Sequence, residues 1–199
     1  MAAGRTDCVL GFMDEVWWSR LAQPAMHAWA PGGDPLRLAG HKAEKGDPDP
    51  KAIACYGLLR RDTDAGGKPR DEMLLRFVRG RPVSHVTCDF LSWACGELAG
   101  EGKKVLLLVW DNAAWHVSRE VKGWIKAHNR QAKQGGGVRI RVCHLPVKAP
   151  WLNPIEPKWV HGKRAVAEPD RKLAAQELKR RICDYYGCED LPPLAQKVA

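Results

Sequence analysis

Residues Val105–Trp110 read VLLLVW, six apolar positions in a row between Lys104 and Asp111. A strand with one wet face alternates apolar and polar residues, whereas an uninterrupted apolar run must be covered on both faces. The chain is therefore expected to build a sheet with helices packed on its two sides. The run is far too short to cross a membrane, and the first residues lack the basic-then-apolar layout of an export signal, so a cytoplasmic protein is expected. With 199 residues there is material for one well-buried core but not for two large domains.

The flanking segments extend this frame. Residues 7–13 (DCVLGFM) form a second apolar run, read as a strand that ends at Asp14, followed by a Trp-rich stretch and a Gly-, Pro- and Asp-rich loop over 31–50. Residues 52–60 and 72–79 read as two more strands, joined by a segment whose Gly66, Gly67 and aspartates suit a hairpin loop. Ser84 is placed to cap a helix in which Val86, Phe90, Trp93, Ala94 and Leu98 recur at helical spacing, with Gly100 and Gly102 at its end. Ser118 caps the next helix, with Val121, Trp124, Ile125 and His128 on one side and Gly135 to Gly137 breaking it. Residues 138–145 give a further strand, and 153–164 and 170–186 read as closing helices. An antiparallel opening followed by βαβ crossovers predicts an α/β fold, a mixed five-stranded sheet with helices on both faces. A ribonuclease H-like fold requires this succession, although order alone leaves several α/β folds open.

Seven cysteines, an odd number without CxxC spacing, argue against a disulfide framework or a zinc ribbon; Cys183 and Cys188 are the one pair to watch. The net charge of +9 is uneven: residues 111–199 carry 17 Lys and Arg against 9 Asp and Glu, while residues 1–110 are nearly balanced. Such asymmetry suits a polyanion partner, and equally a set of solvated helix faces.

If the strands leading to Asp14 and Asp111 lie parallel and adjacent, both carboxylates project at the C-terminal edge of the sheet, where α/β folds place their ligands. A lone Asp after a strand is usually a turn or cap residue, so the pair needs a third element. Residues 145–159, LPVKAPWLNPIEPKW, supply one: Pro154 suits a first helical turn, which puts Glu156 where it leans over the sheet edge. Three carboxylates meeting there would repel one another unless paired, and would bind hard cations such as Mg²⁺ through oxygen. Two such ions, roughly 4 Å apart, activate an attacking oxygen and stabilise a leaving one at phosphorus. Glu15 alternates with Asp14 along the strand, so it is expected on the opposite face and is not assigned as a ligand.

The segments FMDE (12–15), WDNAAWH (110–116) and LPVKAPWLNPIEPKWVHGKR (145–164) resemble the three signature blocks of DDE transposases from bacterial insertion sequences of the mariner-like superfamily. The resemblance runs over nearly the whole chain. It implies a single ribonuclease H-like DDE catalytic domain over 1–199, with Asp14, Asp111 and Glu156 both catalytic and ligands of two Mg²⁺ or Mn²⁺ ions. It also implies phosphodiester cleavage at element ends, strand transfer into target DNA, and a homodimer on DNA. Two features depart from the family. Forty-four residues separate Asp111 from Glu156, more than is usual, and the excess is read into a polar loop over residues 128–137 at a helix end. The first core strand begins by Asp7, so the N-terminal helix-turn-helix module of the family is expected to be absent, and a separately encoded DNA-binding module becomes a candidate partner. The alternatives are a non-catalytic DNA-binding relic and a ribonuclease H-like nuclease with no part in transposition.

Lys148, Lys158, His161, Lys163 and Arg164 surround Glu156 in sequence and are the candidates for DNA phosphates; Arg171, Lys172, Lys179, Arg180 and Arg181 make a generic basic face on the last helix. Asn112, His116 and Asn153 are expected to shape the site, Asn153 as a cap for the Glu156 helix, although turn and cap bonds explain all three equally well. Trp93, Trp110 and Trp124 sit at core positions. Trp17, Trp18, Trp151 and Trp159 flank the site and are offered either to unpaired bases or, by the favoured reading, to the core. Glu120, Glu168 and Asp170 are the rival carboxylates, each in what reads as a helix-start environment.

Overall fold

A computed structural model describes residues 6–21, 28–29, 35–36, 42, 44–63, 69–166 and 171–195. Its elements are β1 (Cys8–Ser19), β2 (Ala28–Trp29), β3 (Pro35–Leu36), β4 (Ala52–Thr63), β5 (Pro69–Arg79), α1 (Ser84–Gly100), β6 (Val105–Trp110), α2 (Arg119–Gly135), β7 (Arg139–His144), a 3₁₀ turn (Pro150–Leu152), α3 (Ile155–Val166), α4 (Ala175–Tyr186) and β8 (Leu194–Ala195). The main sheet has six strands in the order β7-β6-β1-β4-β5-β8, one more than predicted, because two residues near the end of the described chain pair with β5. β1, β6 and β7 run parallel, β4 pairs antiparallel with β1 and β5 antiparallel with β4, so the mixed sheet of the sequence reading is present.

Helices cover both faces. On one, α1 and α2 bury Val86, Phe90, Leu91, Ala94, Leu98 and Val121 against Val9, Met13, Tyr56, Leu106, Leu108 and Trp110. On the other, α3 and α4 bury Ile155, Trp159, Leu178 and Ile182 against Phe12, Val16, Trp18, Cys55 and Phe77. Val105–Trp110 serves both clusters, as its unbroken apolar run requires: Leu106, Leu108 and Trp110 face one and Val109 packs on the other. Trp110 is fully buried, whereas Trp93 and Trp124 are only partly covered at the margin.

Several boundaries differ from the sequence reading. β1 does not end at Asp14 but continues to Ser19, because alternation persists through buried Val16 and Trp18 around exposed Trp17, and β4 pairs with it through Ser19. Ser84 is the first helical residue of α1 rather than its cap; Val83 takes that place, and the Thr87 hydroxyl donates back to its carbonyl. Ser118 does cap α2, accepting the Val121 N–H at 3.2 Å, and Gly136 ends the helix at φ 83°, so residues 128–135, read as part of a polar loop, are helical and only the last glycines leave the helix. α4 starts at Ala175, not near 170, where the Asp49 carboxylate accepts the Ala175 N–H. The seven cysteines are free thiols, and no helix among the described residues is long and apolar enough to cross a membrane.

Candidate active site

Strand register brings two carboxylates level. β1 pairs with β6 up to Phe12↔Val109, and continuing that parallel register two residues sets Asp14 beside Asp111, just past the end of β6. Neighbouring strands lie about 4.8 Å apart, so the sheet itself fixes the separation of the two backbones.

Asp14 shares the face of Phe12, Val16 and Trp18, under α3. Its partner across the ladder in β4 is Gly57, and the missing side chain makes room for Trp159: a Cβ on Gly57 would stand 2.3 Å from the indole Cη2. So seated, Trp159 donates its Nε1–H to Asp14 Oδ2 at 3.0 Å. Trp159 and Trp18 are buried and packed edge-on, which gives both to the core; Trp17 and Trp151 are exposed.

Glu156 lies in the first turn of α3, and buried Asn153 sets where that helix begins. Asn153 donates its Nδ2–H to the Met13 carbonyl at 3.2 Å, while its own carbonyl accepts the Glu156 N–H at 3.1 Å. The residue preceding Asp14 and the residue that starts the Glu156 turn are thus tied together. Burial, then the charges of Glu15 and Glu156, push the Asp14 carboxyl up from 3.8 to about 7. Burial and then the charge of Asp111 raise Glu156, with Lys163 pulling the other way.

Asp111 behaves differently, because it is paired. Its carboxyl is held below the ordinary value, chiefly by the hydrogen bond from His116. Asp111 Oδ1 accepts from the Ala113 N–H at 2.9 Å and pairs with His116 Nδ1 at 2.7 Å. His116 is buried and stacked on Trp110, ring centroids 4.4 Å apart and planes within 9°. Its other nitrogen, Nε2, lies 2.8 Å from Glu15 Oε1, which also accepts from Trp115 Nε1 at 3.2 Å. Burial lowers the His116 pKa, but the hydrogen bonds and charges of Asp111 and Glu15 outweigh it and hold it at about 9, so the ring is an imidazolium donating to both carboxylates at neutral pH. Glu15 does lie on the opposite sheet face from Asp14, and it nonetheless reaches the site edge through this histidine. Sequence reasoning set Glu15 aside; the one signal was that FMDE and WDNAAWH each contain one more ionisable residue than three ligands need.

Asn112 donates to the Leu145 carbonyl at 2.7 Å, joining the loop after β6 to the end of β7. Beside it a cavity of about 340 Å³ is lined by Asp111, Asn112, Val147, Lys148 and Pro150 among others. Lys148, at φ 58°, edges that cavity, and Lys163 is close enough to Glu156 to act on its charge. Lys158 turns away to Asp71 at 3.6 Å, while His161 and Arg164 are exposed on α3. Glu120 sits in the first turn of α2 behind its Ser118 cap; Glu168 and Asp170 lie outside the described residues.

Among the described residues no three His, Cys, Asp or Glu side chains are close enough together to form a ready-made metal cage. The donor set nevertheless suits a hard divalent cation. It is oxygen only, and Asp14 and Glu156 are pushed up by burial and then by neighbouring negative charge, which a cation would offset.

A family model described as DDE superfamily endonuclease matches residues 86–179, a span that includes Asp111 and Glu156. No curated protein sequence matches. Among solved structures, the "Mos1 transposase paired-end complex with left transposon end" is similar at TM-score 0.57 and 15% identity, covering 93% of this chain and 49% of that one. The "Mos1 mariner paired end complex with Mn" is similar at TM-score 0.54 and 15% identity over the same shares. A "Mos1 Strand Transfer Complex" follows at TM-score 0.51 and 14% identity, over 93% of this chain and 48% of that one. At such identities the likeness is one of fold, and the chain spans about half the length of the transposase it resembles. Residues 86–179 thus match the DDE superfamily endonuclease model, and the sheet and its helices are similar in fold to the Mos1 transposase structures.

Proposed function

We propose that this chain is the catalytic part of a DDE transposase, cutting phosphodiester bonds at the ends of a DNA element and joining the freed 3′-hydroxyl to target DNA. What supports this reading is that the β1–β6 register, continued two residues, sets Asp14 beside Asp111, and that the charges of Glu156 and Asp111 act on Asp14 and Glu156 respectively. The similar Mos1 structures, described as complexes with transposon DNA and in one case with Mn, support the substrate class. Asp14, Asp111 and Glu156 would hold two divalent ions, Mg²⁺ or Mn²⁺, which in such sites activate the attacking oxygen and neutralise charge on the leaving one.

The chain's own residues do the positioning. Trp159 and the Glu15 N–H hold the Asp14 carboxylate, Asn153 docks the first turn of α3 beside it, and His116 holds Asp111. Lys148 and Lys163, next to the carboxylates, and Lys158, His161 and Arg164 further along α3 would meet DNA phosphates. Element ends and target DNA are then the partners, bound by a homodimer in the cytoplasm, with a separately encoded DNA-binding module as a further candidate.

The test is cleavage and strand transfer on oligonucleotide ends in Mg²⁺ or Mn²⁺, with and without EDTA. Wild type should be active only with metal. Glu156→Gln should lose at least about a hundredfold in rate, as the loss of one precisely placed charge-stabilising group does, while Glu168→Gln and Asp170→Asn keep most of it. Glu156→Gln at near-normal rate would move the third ligand elsewhere. Cleavage without joining would favour a nuclease over a transposase.

A further inference from the structure

Glu15 is a buried carboxylate outside the three-carboxylate set. Its Oε1 accepts from two donors, His116 Nε2 at 2.8 Å and Trp115 Nε1 at 3.2 Å. A core that needed only shape here would take an apolar residue, because burying a carboxylate is costly unless it is paired. The pairing is directed at the site edge. His116 is fixed at three points: Nε2 on Glu15, Nδ1 on Asp111, and its flat face on Trp110. Both contacts made to the Asp111 carboxylate, from His116 and from the Ala113 N–H, fall on Oδ1. The side chain is half exposed, so these contacts, rather than packing, decide which oxygen faces outward.

We propose that Glu15 is a positioning residue: acting through His116, it anchors Oδ1 of Asp111 and so presents Oδ2 to the divalent cation. The proposal rests on the reading of Asp14, Asp111 and Glu156 as the cation site. Without an acceptor at Glu15 the imidazole loses one of its three anchors and can swing, leaving the Ala113 N–H as the remaining fixed contact to Asp111. Groups that hold a metal ligand from behind typically shift metal affinity by about 10–100-fold.

The experiment is a Mn²⁺ titration of the whole chain, followed by loss of the free-ion electron paramagnetic resonance signal. It compares wild type, Asp111→Asn, Glu15→Gln and Glu15→Leu, with melting curves in EDTA to report the fold. Gln keeps a polar group able to bond the ring; Leu keeps the bulk and removes the bond. Asp111→Asn should bind Mn²⁺ far more weakly than wild type. Glu15→Leu should bind about 10–100-fold more weakly, and Glu15→Gln should stay within about threefold of wild type, the span being that of outer-shell partners. If Glu15→Leu does not fold, His116→Asn, which retains a donor near Asp111 but cannot reach Glu15, carries the same expected loss. A folded Glu15→Leu with wild-type affinity overturns the positioning role and leaves the cation site standing, as does a Glu15→Gln that falls as far as Leu. Wild-type Mn²⁺ binding indifferent to Asp111→Asn removes the cation site, and the positioning role with it.

Discussion

Asp14 and His116 are the two groups whose proton affinity the fold changes most at the site, and both are raised, to about 7 and about 9. For Asp14 the folded chain binds more protons than the unfolded one between pH 3.8 and about 7, so folding stability falls as pH rises through that window. For His116 the favourable ion pairing is fully present below its ordinary pKa of 6.5 and is lost as pH rises through about 9. The two effects act in the same direction, and together are on the order of a few kcal/mol. In EDTA the protein should therefore melt several degrees higher at pH 5.5 than at pH 8.5, and Mg²⁺ should narrow the gap by favouring ionised Asp14; a higher melting temperature at pH 8.5 would contradict this assignment. Asp111→Asn belongs to the same scale. Repulsion among bare carboxylates would make that change neutral or stabilising, but Asp111 is paired with His116 and bonded to the Ala113 N–H. Its loss should cost about 1–3 kcal/mol of metal-free stability while leaving the fold, as removal of one partner of a charged hydrogen bond does. Thermal or urea melts at pH 7 measure it.

Among the elements, β4 and α3 meet closely where Gly57 lies under Trp159. Gly57→Ala should destabilise the protein by about 1–3 kcal/mol through overpacking, and because Trp159 must shift, it should also lower cleavage by loosening Asp14. A variant that melts below wild type yet cleaves at its rate would separate packing from positioning. The contact also shows what a sequence can convey. The order of strands and helices, the run of Val105–Trp110 and the caps and breaks at Ser118 and Gly136 were legible because hydrophobic period and turn chemistry are local. The extension of β1 past Asp14 was not, since the Trp-rich segment gains its strand partner from β4, far along the chain. β8 was not legible either: two residues leave no period to detect. The three carboxylates were singled out because each adjoins a run with a readable local pattern, whereas the Glu15–His116–Asp111 chain depends on a contact between residues 101 apart in sequence.

For the molecule as a whole, the charge of residues 111–199, 17 basic against 9 acidic, falls on the half that carries α3 and α4. DNA binding by this chain should weaken steeply with salt, log affinity falling linearly with log salt at a slope of about −0.9 per phosphate neutralised. Titrations at several salt concentrations measure it, and Lys148→Ala and Lys163→Ala should each reduce the slope by about one; a flat dependence would give the basic residues to solvation alone. The sheet is also a partition, with Asp14 answering to Trp159 on one side and the adjacent Glu15 to His116 on the other. Two consecutive residues thus carry separate duties whose sides are set only by the strand's two-residue period. Loss of a single codon within residues 8–13 would turn the glutamate to the buried tryptophan's side, and gain of one would turn the aspartate to the histidine's. Descendants of such a gene should therefore change length readily between Asp111 and Glu156, where a surface segment absorbs it, and hold β1 to a fixed count.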